Sequence, residues 1–354
     1  MSRREEALAL HRACPVVVGH ADLPAELQLR RQAGESGALL ARYLPRCRAA
    51  GIRVLIGAVY VHPSYLPEMA LRTALAQIGA LLAEIKESRH AFQLVKDAAE
   101  LDAALADGRI AVLLAMEGTE PLCGSAELLL PFYTLGVRLL GLTWNGRTQA
   151  ADGCGLPGAG LTPFGRELAQ AAWSLGMILD VSHLNDAGFD DLLALGGGPV
   201  LATHSNCRAL CRHARNLDNA QLQSLGRRGG VIGINQVRFL ARSPGSAGTL
   251  EDLCRQIFHI EQQAGPGSAG LGLDLARDYM EALPRPRAFW QSWNPEEEDI
   301  LRDYGQLPEL TALLLEHGMD RGAVSGVLGG NFLRFLRRHL PQEPHGASEP
   351  TAVF

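Results

Sequence analysis

From Val16 to Pro24 the chain reads V-V-V-G-H-A-D-L-P, and later segments repeat the chemical pattern of this stretch. The run of three valines predicts a buried parallel strand, which Gly19 interrupts. His20 and Asp22 follow two positions apart, so an extended chain would direct both side chains to one face. An imidazole and a carboxylate in that arrangement are suitable zinc ligands, although a core histidine beside a surface aspartate would give the same letters.

Four later apolar runs end in the same kind of chemistry. Each is apolar until its last residues, which then include a histidine or an acid. The runs are Ile110–Gly118, Met177–His183, Pro199–Asn206 and Ala269–Asp274, and they deliver Glu117, His183, His204 and Asp274. Five strand ends that carry metal-binding or acid–base residues are difficult to explain by packing alone. The sequence therefore predicts one site that these strand ends share.

Eight apolar segments, nearly all separated by predicted helices, indicate the fold class. The other three segments are Ile52–Tyr60, Val137–Asn145 and Val231–Val237. Helical crossovers make neighbouring strands parallel, so eight units predict an α/β protein with a closed (β/α)8 TIM barrel and extra C-terminal helices. Such barrels place their sites at the carboxyl ends of the strands. A doubly wound open sheet is the alternative, but no G-x-G-x-x-G follows the first strand. Between the first two strands, one helix is predicted over 35–50.

Length and composition narrow the function classes. The chain has 354 residues, is 47% apolar and has a net charge of −5. We expect a single domain over 1–340 and a disordered tail over 341–354, because the tail is rich in Pro, Glu, Gly and Ser. The charge balance argues against a nucleic acid partner. No segment has the pattern of a signal peptide or a membrane span, so we expect a cytoplasmic protein without membrane contact.

The ordered motifs resemble those of the membrane dipeptidase (renal dipeptidase-like) metallopeptidase family over nearly the whole chain. The matching pieces are G-H-A-D-L-P from Gly19, M-E-G from Met116, L-T-W-N from Leu142, L-D-V-S-H from Leu179, T-H-S-N from Thr203, R-N-L-D from Arg215, G-L-D from Gly272 and G-G-N-F-L-R from Gly329. Each piece alone is common, whereas their order and spacing together are specific.

The resemblance implies a barrel that holds two zinc ions. His20 and Asp22 would bind one ion, and His183 and His204 the other. Glu117 would bridge the ions, with a water or hydroxide between them. Related barrels that use a carbamylated lysine as the bridge are a poor match, because the only two lysines here lie in or after a helix.

The resemblance also implies how substrate is handled. Arg215 would bind the terminal carboxylate of a small peptide, and Asp274 would transfer protons. Better-known animal members have a histidine, which contacts substrate and the developing oxyanion, where this chain has Trp144. An indole donates one hydrogen bond and carries no charge, so either Asn145 or zinc would stabilise the oxyanion, or the substrate differs. We assign Trp144 and Asn145 to substrate binding.

The predicted function is hydrolysis of a dipeptide, or of a short peptide-like substrate with a free C-terminal carboxylate, by a dinuclear zinc dipeptidase. One alternative keeps the metal chemistry but acts on a peptide-like biosynthetic intermediate, such as a Cys-Gly conjugate. A third hypothesis is a barrel that binds a ligand without catalysis, and loss of metal ligands would be its signature. Family resemblance further suggests a homodimer. His62, His213 and His259 are interpreted as structural.

Overall fold

Nine parallel strands form the centre of the computed structural model, which describes residues 2–283 and 298–342. They are β1 (Val16–Ala21), β2 (Ile52–Tyr60), β3 (Phe92–Leu94), β4 (Ile110–Glu117), β5 (Val137–Gly141), β6 (Ile178–Asp180), β7 (Val200–Leu201), β8 (Ile232–Asn235) and β9 (Ala269–Leu273). Eight of them pair in the order β7-β6-β5-β4-β2-β1-β9-β8. A bridge between Ala202 and Ile232 joins β7 to β8 and closes the barrel. The predicted (β/α)8 barrel is confirmed.

The sequence did not predict β3. This strand pairs with the first half of β4, where Phe92 lies opposite Ile110, whereas β5 pairs with β4 only from Leu114 onward. Three residues are too few to produce a recognisable alternation of apolar and polar positions. β3 therefore pairs with the N-terminal half of β4 but is not one of the eight strands that close the barrel.

Helices connect the strands and cover the barrel. The α-helices of the described part of the chain are Arg3–Ala13, Leu23–Gln32, Leu44–Ala50, Ala70–Glu87, Ala98–Ala106, Leu129–Leu135, Pro163–Ser174, Asp186–Leu195, Asn219–Arg227, Arg238–Ala241, Leu250–Ala264, Arg277–Ala282, Leu307–Glu316, Arg321–Ser325 and Asn331–His339. Short π-helical segments occupy Leu39–Tyr43 and Gly326–Gly330, and 3₁₀ turns occupy Pro63–Tyr65, Glu120–Leu122, Ala126–Leu128 and Tyr304–Gln306. The helices after residue 306 form the predicted C-terminal extension.

The connection between β1 and β2 differs from the prediction of one helix over 35–50. Helix Leu23–Gln32 begins directly after Asp22, with Pro24 in its first turn, where a proline costs no hydrogen bond. The π-helical segment Leu39–Tyr43 then precedes helix Leu44–Ala50. The stretch Val16–Pro24 thus contains both the candidate ligands and the start of a helix. We interpreted it only as a site, so the helix was not predicted.

Side chains from the strands and from helix Asn331–His339 fill the barrel interior. The ring of Phe332 is fully buried there. A Cβ placed on Gly19 would lie 2.7 Å from this ring, and one on Gly270 would lie 2.5 Å from it. Gly19 therefore interrupts the valine run of β1 because the Phe332 ring occupies the space that a side chain would need.

Two predictions concern parts of the chain that the structure describes only in part. Residues 343–354 of the predicted disordered tail lie outside the described residues, and the single-domain assignment of residues 1–340 stays a prediction. Within residues 2–283 and 298–342, no helix combines the length and apolarity that a membrane crossing requires.

Phe332→Ala should lower the free energy of unfolding by about 3–5 kcal/mol, because it empties a fully enclosed site between two glycine-bearing strands. Urea denaturation followed by circular dichroism measures the change. Leu75→Ala is the control, since Leu75 is 42% exposed and its truncation should cost about 0.5 kcal/mol or less. Equal losses for the two variants would contradict the assigned packing.

Candidate metal centre

Six side chains meet at the carboxyl-terminal mouth of the barrel. They are the six residues that the sequence placed at strand ends, His20, Asp22, Glu117, His183, His204 and Asp274. Five of them line a cavity of about 580 Å³, and the sixth, His204, is buried beside it. The pairing of β1 with β2 shifts register between Val18 and Ala21, and such a bulge re-aims the side chains that follow it.

Glu117 lies at the centre of the cluster and presents its two oxygens to different neighbours. Oε1 is 3.0 Å from Nε2 of His183 and 3.3 Å from Nε2 of His204, and these two nitrogens are 3.0 Å apart. Zinc bonds of about 2.0–2.1 Å place tetrahedral ligand atoms about 3.3 Å from one another. The triangle of donor atoms therefore has nearly the dimensions of one face of a zinc site.

The other oxygen of Glu117 faces a second group of donors around His20. Nε2 of His20 is 3.7 Å from Oε2 of Glu117, and 3.8 Å from both Oδ1 of Asp22 and Oδ1 of Asp274. The donor atoms of His20, Asp22 and Asp274 all lie within 4.8 Å of one another, as do those of His20, Glu117 and His204. Donor atoms therefore flank Glu117 on two sides, and Asp274 is close enough to act either as a ligand or as an acid–base group.

Hydrogen bonds orient two of the three imidazoles so that Nε2 faces the cluster. Nδ1 of His183 lies 2.7 Å from Oδ1 of Asn145, and Nδ1 of His204 lies 2.7 Å from the hydroxyl of Thr203. Because that hydroxyl donates to the carboxylate of Asp180, it accepts from His204. Nδ1 therefore carries the ring proton in both histidines, and the Nε2 lone pairs remain available for a metal.

Burial keeps these two histidines neutral. It lowers the pKa of His183 and of His204 well below the usual value, and the positive charges of Arg215 and His20 lower both further. Neutral imidazole is the form that binds metals. The charge state of both rings therefore suits a ligand role.

Carboxylates dominate the electrostatics of the remaining cluster. Burial, against the opposing charge of His20 and together with the nearby Asp22 and Asp274, raises the pKa of Glu117 to about 8. Burial alone would lower the pKa of His20, but these carboxylates raise it to about 10. Three acids in a buried space require compensating positive charge, which bound divalent cations would supply.

The backbone is strained at two of the strand ends that build the cluster. His183, Leu273 and Asp274 have φ angles of 70°, 66° and 64°. A left-handed conformation costs a non-glycine residue about 1–2 kcal/mol, and such strain concentrates at functional sites. These angles turn His183 and Asp274 toward the mouth. Neither angle was predicted, because histidine and aspartate adopt this conformation in only a minority of their occurrences.

Arg215 is a buried residue of the cavity wall. Its side chain is held by Ser205, whose hydroxyl accepts from Nη1 at 2.8 Å, and by the carbonyl of His204, which accepts from Nη2 at 2.7 Å. Arg215 is only 6% exposed, so it does not form a surface ion pair. Nε has no hydrogen-bond partner among the described residues.

Aromatic and amide side chains complete the wall. The Trp144 ring lies 5.1 Å from the ring of Tyr60 and 6.0 Å from that of His183. Asn145 lines the cavity, but its oxygen accepts from His183 and from the thiol of Cys154, contacts that the sequence did not predict. The predicted contact of Trp144 and Asn145 with substrate stays a prediction.

The sequence analysis did not assign two further residues to the mouth, His213 and Asn235. His213, which was interpreted as structural, lines the cavity, and its Nδ1 accepts from the backbone N–H of Arg215 at 3.1 Å. Asn235, which was not singled out, donates to Oδ2 of Asp274 at 2.9 Å. The sequence did contain one indication of its role, because Asn235 is the polar residue that ends the apolar run V-I-G-I-N.

Comparison with known proteins supports the resemblance. A family model of membrane dipeptidases, peptidase family M19, matches residues 4–344. The crystal structure of dipeptidase AC, a metallopeptidase of family M19, is 29% identical with a TM-score of 0.79, and the match covers 92% of this chain and 99% of that chain. A metallopeptidase of Rhodobacter sphaeroides, solved with a phosphinate mimic of the dipeptide L-Ala-D-Ala, is 29% identical with a TM-score of 0.80 and the same coverage.

A curated relative is also described as a dipeptidase. An uncharacterized dipeptidase of Schizosaccharomyces pombe is 29% identical over 292 residues, which cover 78% of this chain and 66% of that protein. The family model matches residues 4–344. This range contains every strand of the closed barrel and the cluster of histidines and acids at its mouth. The chain therefore belongs to the membrane dipeptidase family, peptidase family M19, a family of metal-dependent dipeptidases.

Proposed function

We propose that the protein is a dinuclear zinc dipeptidase that hydrolyses the amide bond of a dipeptide, or of a short peptide-like substrate, with a free C-terminal carboxylate. One observation carries the proposal. Glu117 directs one oxygen toward His183 and His204 and the other toward His20, while a buried arginine forms part of the same cavity wall. A homodimer and a cytoplasmic location remain proposals from the sequence.

In this proposal, His20 and Asp22 hold one zinc ion, His183 and His204 hold the other, and Glu117 contacts both. Imidazole and carboxylate donors of this number and spacing match the preferences of zinc. The ions would polarise the scissile carbonyl and lower the pKa of water, so that a nucleophile exists at neutral pH.

Arg215 would fix the carboxyl end of the substrate. A guanidinium offers a planar fork that matches the two oxygens of a carboxylate, and burial strengthens that interaction. Because Arg215 is anchored to the residues His204 and Ser205, a substrate bound to it lies at a set distance from the metal ligands. The relative from Rhodobacter sphaeroides, with its bound mimic of L-Ala-D-Ala, supports a ligand of dipeptide size.

Asp274 would carry the proton of the reaction. It accepts a proton from the attacking water as the water oxygen bonds to the carbonyl carbon. It then donates that proton to the amide nitrogen as the C–N bond breaks, which releases a free amine and a carboxylic acid. Its side chain is 24% exposed at the cavity, so it lies within reach of water and substrate.

A second candidate keeps the reaction but changes the substrate to a larger peptide-like conjugate. Tyr60, Trp144, Phe239 and Tyr279 give the cavity of about 580 Å³ an aromatic wall. That space exceeds the needs of two alanine residues, and aromatic rings favour apolar substituents. A panel of plain dipeptides and thiol conjugates of Cys-Gly separates the candidates, because equal turnover of both would exclude a specialised conjugate hydrolase.

Glu117→Ala should lower the zinc content from about two ions per chain to one or none, because the variant loses the group that contacts both ions. Mass spectrometry of the purified, dialysed protein counts the metal. Glu127→Ala, which removes an exposed acid that does not line the cavity, should leave the count unchanged. A Glu117→Ala protein that still held two ions would contradict the bridging role.

Arg215→Met should reduce kcat/KM for L-Ala-D-Ala by about 100-fold, because the carboxylate loses a charged, bidentate partner. The same substitution should have little effect on the C-terminal amide of that dipeptide, which offers no carboxylate. Steady-state kinetics with both substrates measures the difference, and Arg212→Met at an exposed neighbouring position is the control. Equal losses for acid and amide would refute carboxylate recognition.

Asn145→Ala should weaken binding of one zinc ion by about 10–100-fold, because His183 loses the acceptor that orients its ring. Competition with a zinc chelator measures the two affinities. Gln149→Ala, in the same loop, is the control. Unchanged affinities for both ions would show that Asn145 does not support the ligand.

A further inference from the structure

The amide of Asn235 contacts only one of the two oxygens of Asp274. Asn235 ends β8, opposite Leu273 of β9, and its Nδ2 donates to Oδ2 of Asp274 at 2.9 Å. Oδ1 of the same carboxylate lies 3.8 Å from Nε2 of His20. The two oxygens of Asp274 therefore have different surroundings, one against an amide donor and one toward the metal ligands.

The orientation of this amide is fixed by its own neighbours. The backbone N–H of Val237 donates to Oδ1 of Asn235 at 2.8 Å. A backbone N–H can only donate, so the amide oxygen must face Val237 and the amide NH₂ must face Asp274. The opposite flip would place two donors against each other at Val237.

Asn206 fixes the backbone of Asn235 as well. The N–H of Asn235 donates to Oδ1 of Asn206 at 3.0 Å, and Nδ2 of Asn206 donates to the carbonyl of Asn235 at 2.8 Å. Asn206 is completely buried and Asn235 is 1% exposed. Water does not compete for these bonds, so the donor that faces Asp274 has little freedom to move.

This arrangement decides which oxygen of Asp274 can hold a proton. A carboxylic acid accepts a hydrogen bond well through its carbonyl oxygen and poorly through its hydroxyl oxygen. Because the amide of Asn235 continually donates to Oδ2, Oδ2 is favoured as the carbonyl oxygen of the protonated acid. The proton therefore resides on Oδ1, the oxygen that faces the cluster.

We propose that Asn235 is a positioning residue for the hydrolysis, because it occupies Oδ2 of Asp274 and reserves Oδ1 for proton transfer. This inference rests on the proposed role of Asp274. One proton leaves the water for Oδ1 as the C–O bond forms, and it moves from Oδ1 to the nitrogen as the C–N bond breaks. Without the amide, the proton would distribute over both oxygens, one of which faces away from the reacting atoms.

Asn235→Asp is the direct test, because the new side chain has the same shape. It keeps an acceptor for Val237 and the backbone bonds to Asn206, but it places an oxygen where the donor stood. We expect kcat for L-Ala-D-Ala to fall about 100-fold while KM stays within about threefold and the zinc content is unchanged. The solvent deuterium isotope effect on kcat should rise, because proton transfer becomes slower.

The control is Asn331→Asp, which changes another buried amide. Nδ2 of Asn331 donates to the carbonyl of Ala269 at 2.8 Å, at the start of β9 and remote from the mouth. This variant should lose stability without losing kcat. If Asn235→Asp does not fold, Asn235→Ala removes the same donor without adding a charge and provides the same comparison.

A double-mutant cycle distinguishes positioning from a general structural effect. In an Asp274→Asn background, Asn235→Asp should lower kcat by no more than about twofold further, because Asn235 acts only through Asp274. A full additional 100-fold loss, or a single Asn235→Asp variant with wild-type kcat, would overturn the inference. If Asp274→Asn itself retained wild-type kcat, the proposed role of Asp274 would fail and this inference with it, whereas the zinc counts and the Arg215 results would still assess the dipeptidase assignment.

Discussion

The approach of three imidazoles to the carboxylate of Glu117 is the interaction on which the rest of the site depends. The three Nε2 atoms lie 3.0, 3.3 and 3.7 Å from its oxygens, and they come from the ends of β1, β6 and β7. These strands are not neighbours of β4 in the barrel, so only closure of the sheet brings the four side chains together. A buried carboxylate among neutral or competing groups is costly unless positive charge is added. The fold therefore concentrates negative charge at its mouth, and bound metal ions would neutralise that charge.

One tetrapeptide after β7 supports most of this mouth. In T-H-S-N, His204 contributes a ring nitrogen to the cluster, Ser205 accepts a hydrogen bond from Arg215, and Asn206 holds the backbone of Asn235. Thr203 connects His204 to the carboxylate of Asp180. The candidate metal ligands, Arg215 and Asp274 are thus held in register by adjacent residues of one loop, so that a shift of the loop would displace all of them together.

The sequence predicted the barrel and the six residues at its mouth because both follow from strong, local signals. Apolar runs mark the buried strands, and an acid or histidine at a strand end is conspicuous against them. The sequence did not reveal Asn145 or Asn235 as supporting residues, because an amide that orients another side chain has no pattern of its own and acquires its role only through contacts between strands. The left-handed backbone at His183 and Asp274 could not be predicted from the sequence for a similar reason. The surrounding structure imposes this conformation on residues that seldom adopt it on their own. β3 was too short to detect.

The ring of Phe332 has a consequence for the order in which the protein can be assembled during synthesis. It fills the space beside Gly19, more than 300 positions earlier in the chain. A ribosome exposes the first strand long before it adds this residue, and the inner end of the barrel stays unfilled until helix Asn331–His339 has emerged. A nascent chain that stops short of this helix would expose apolar strand surfaces until the helix packs against them.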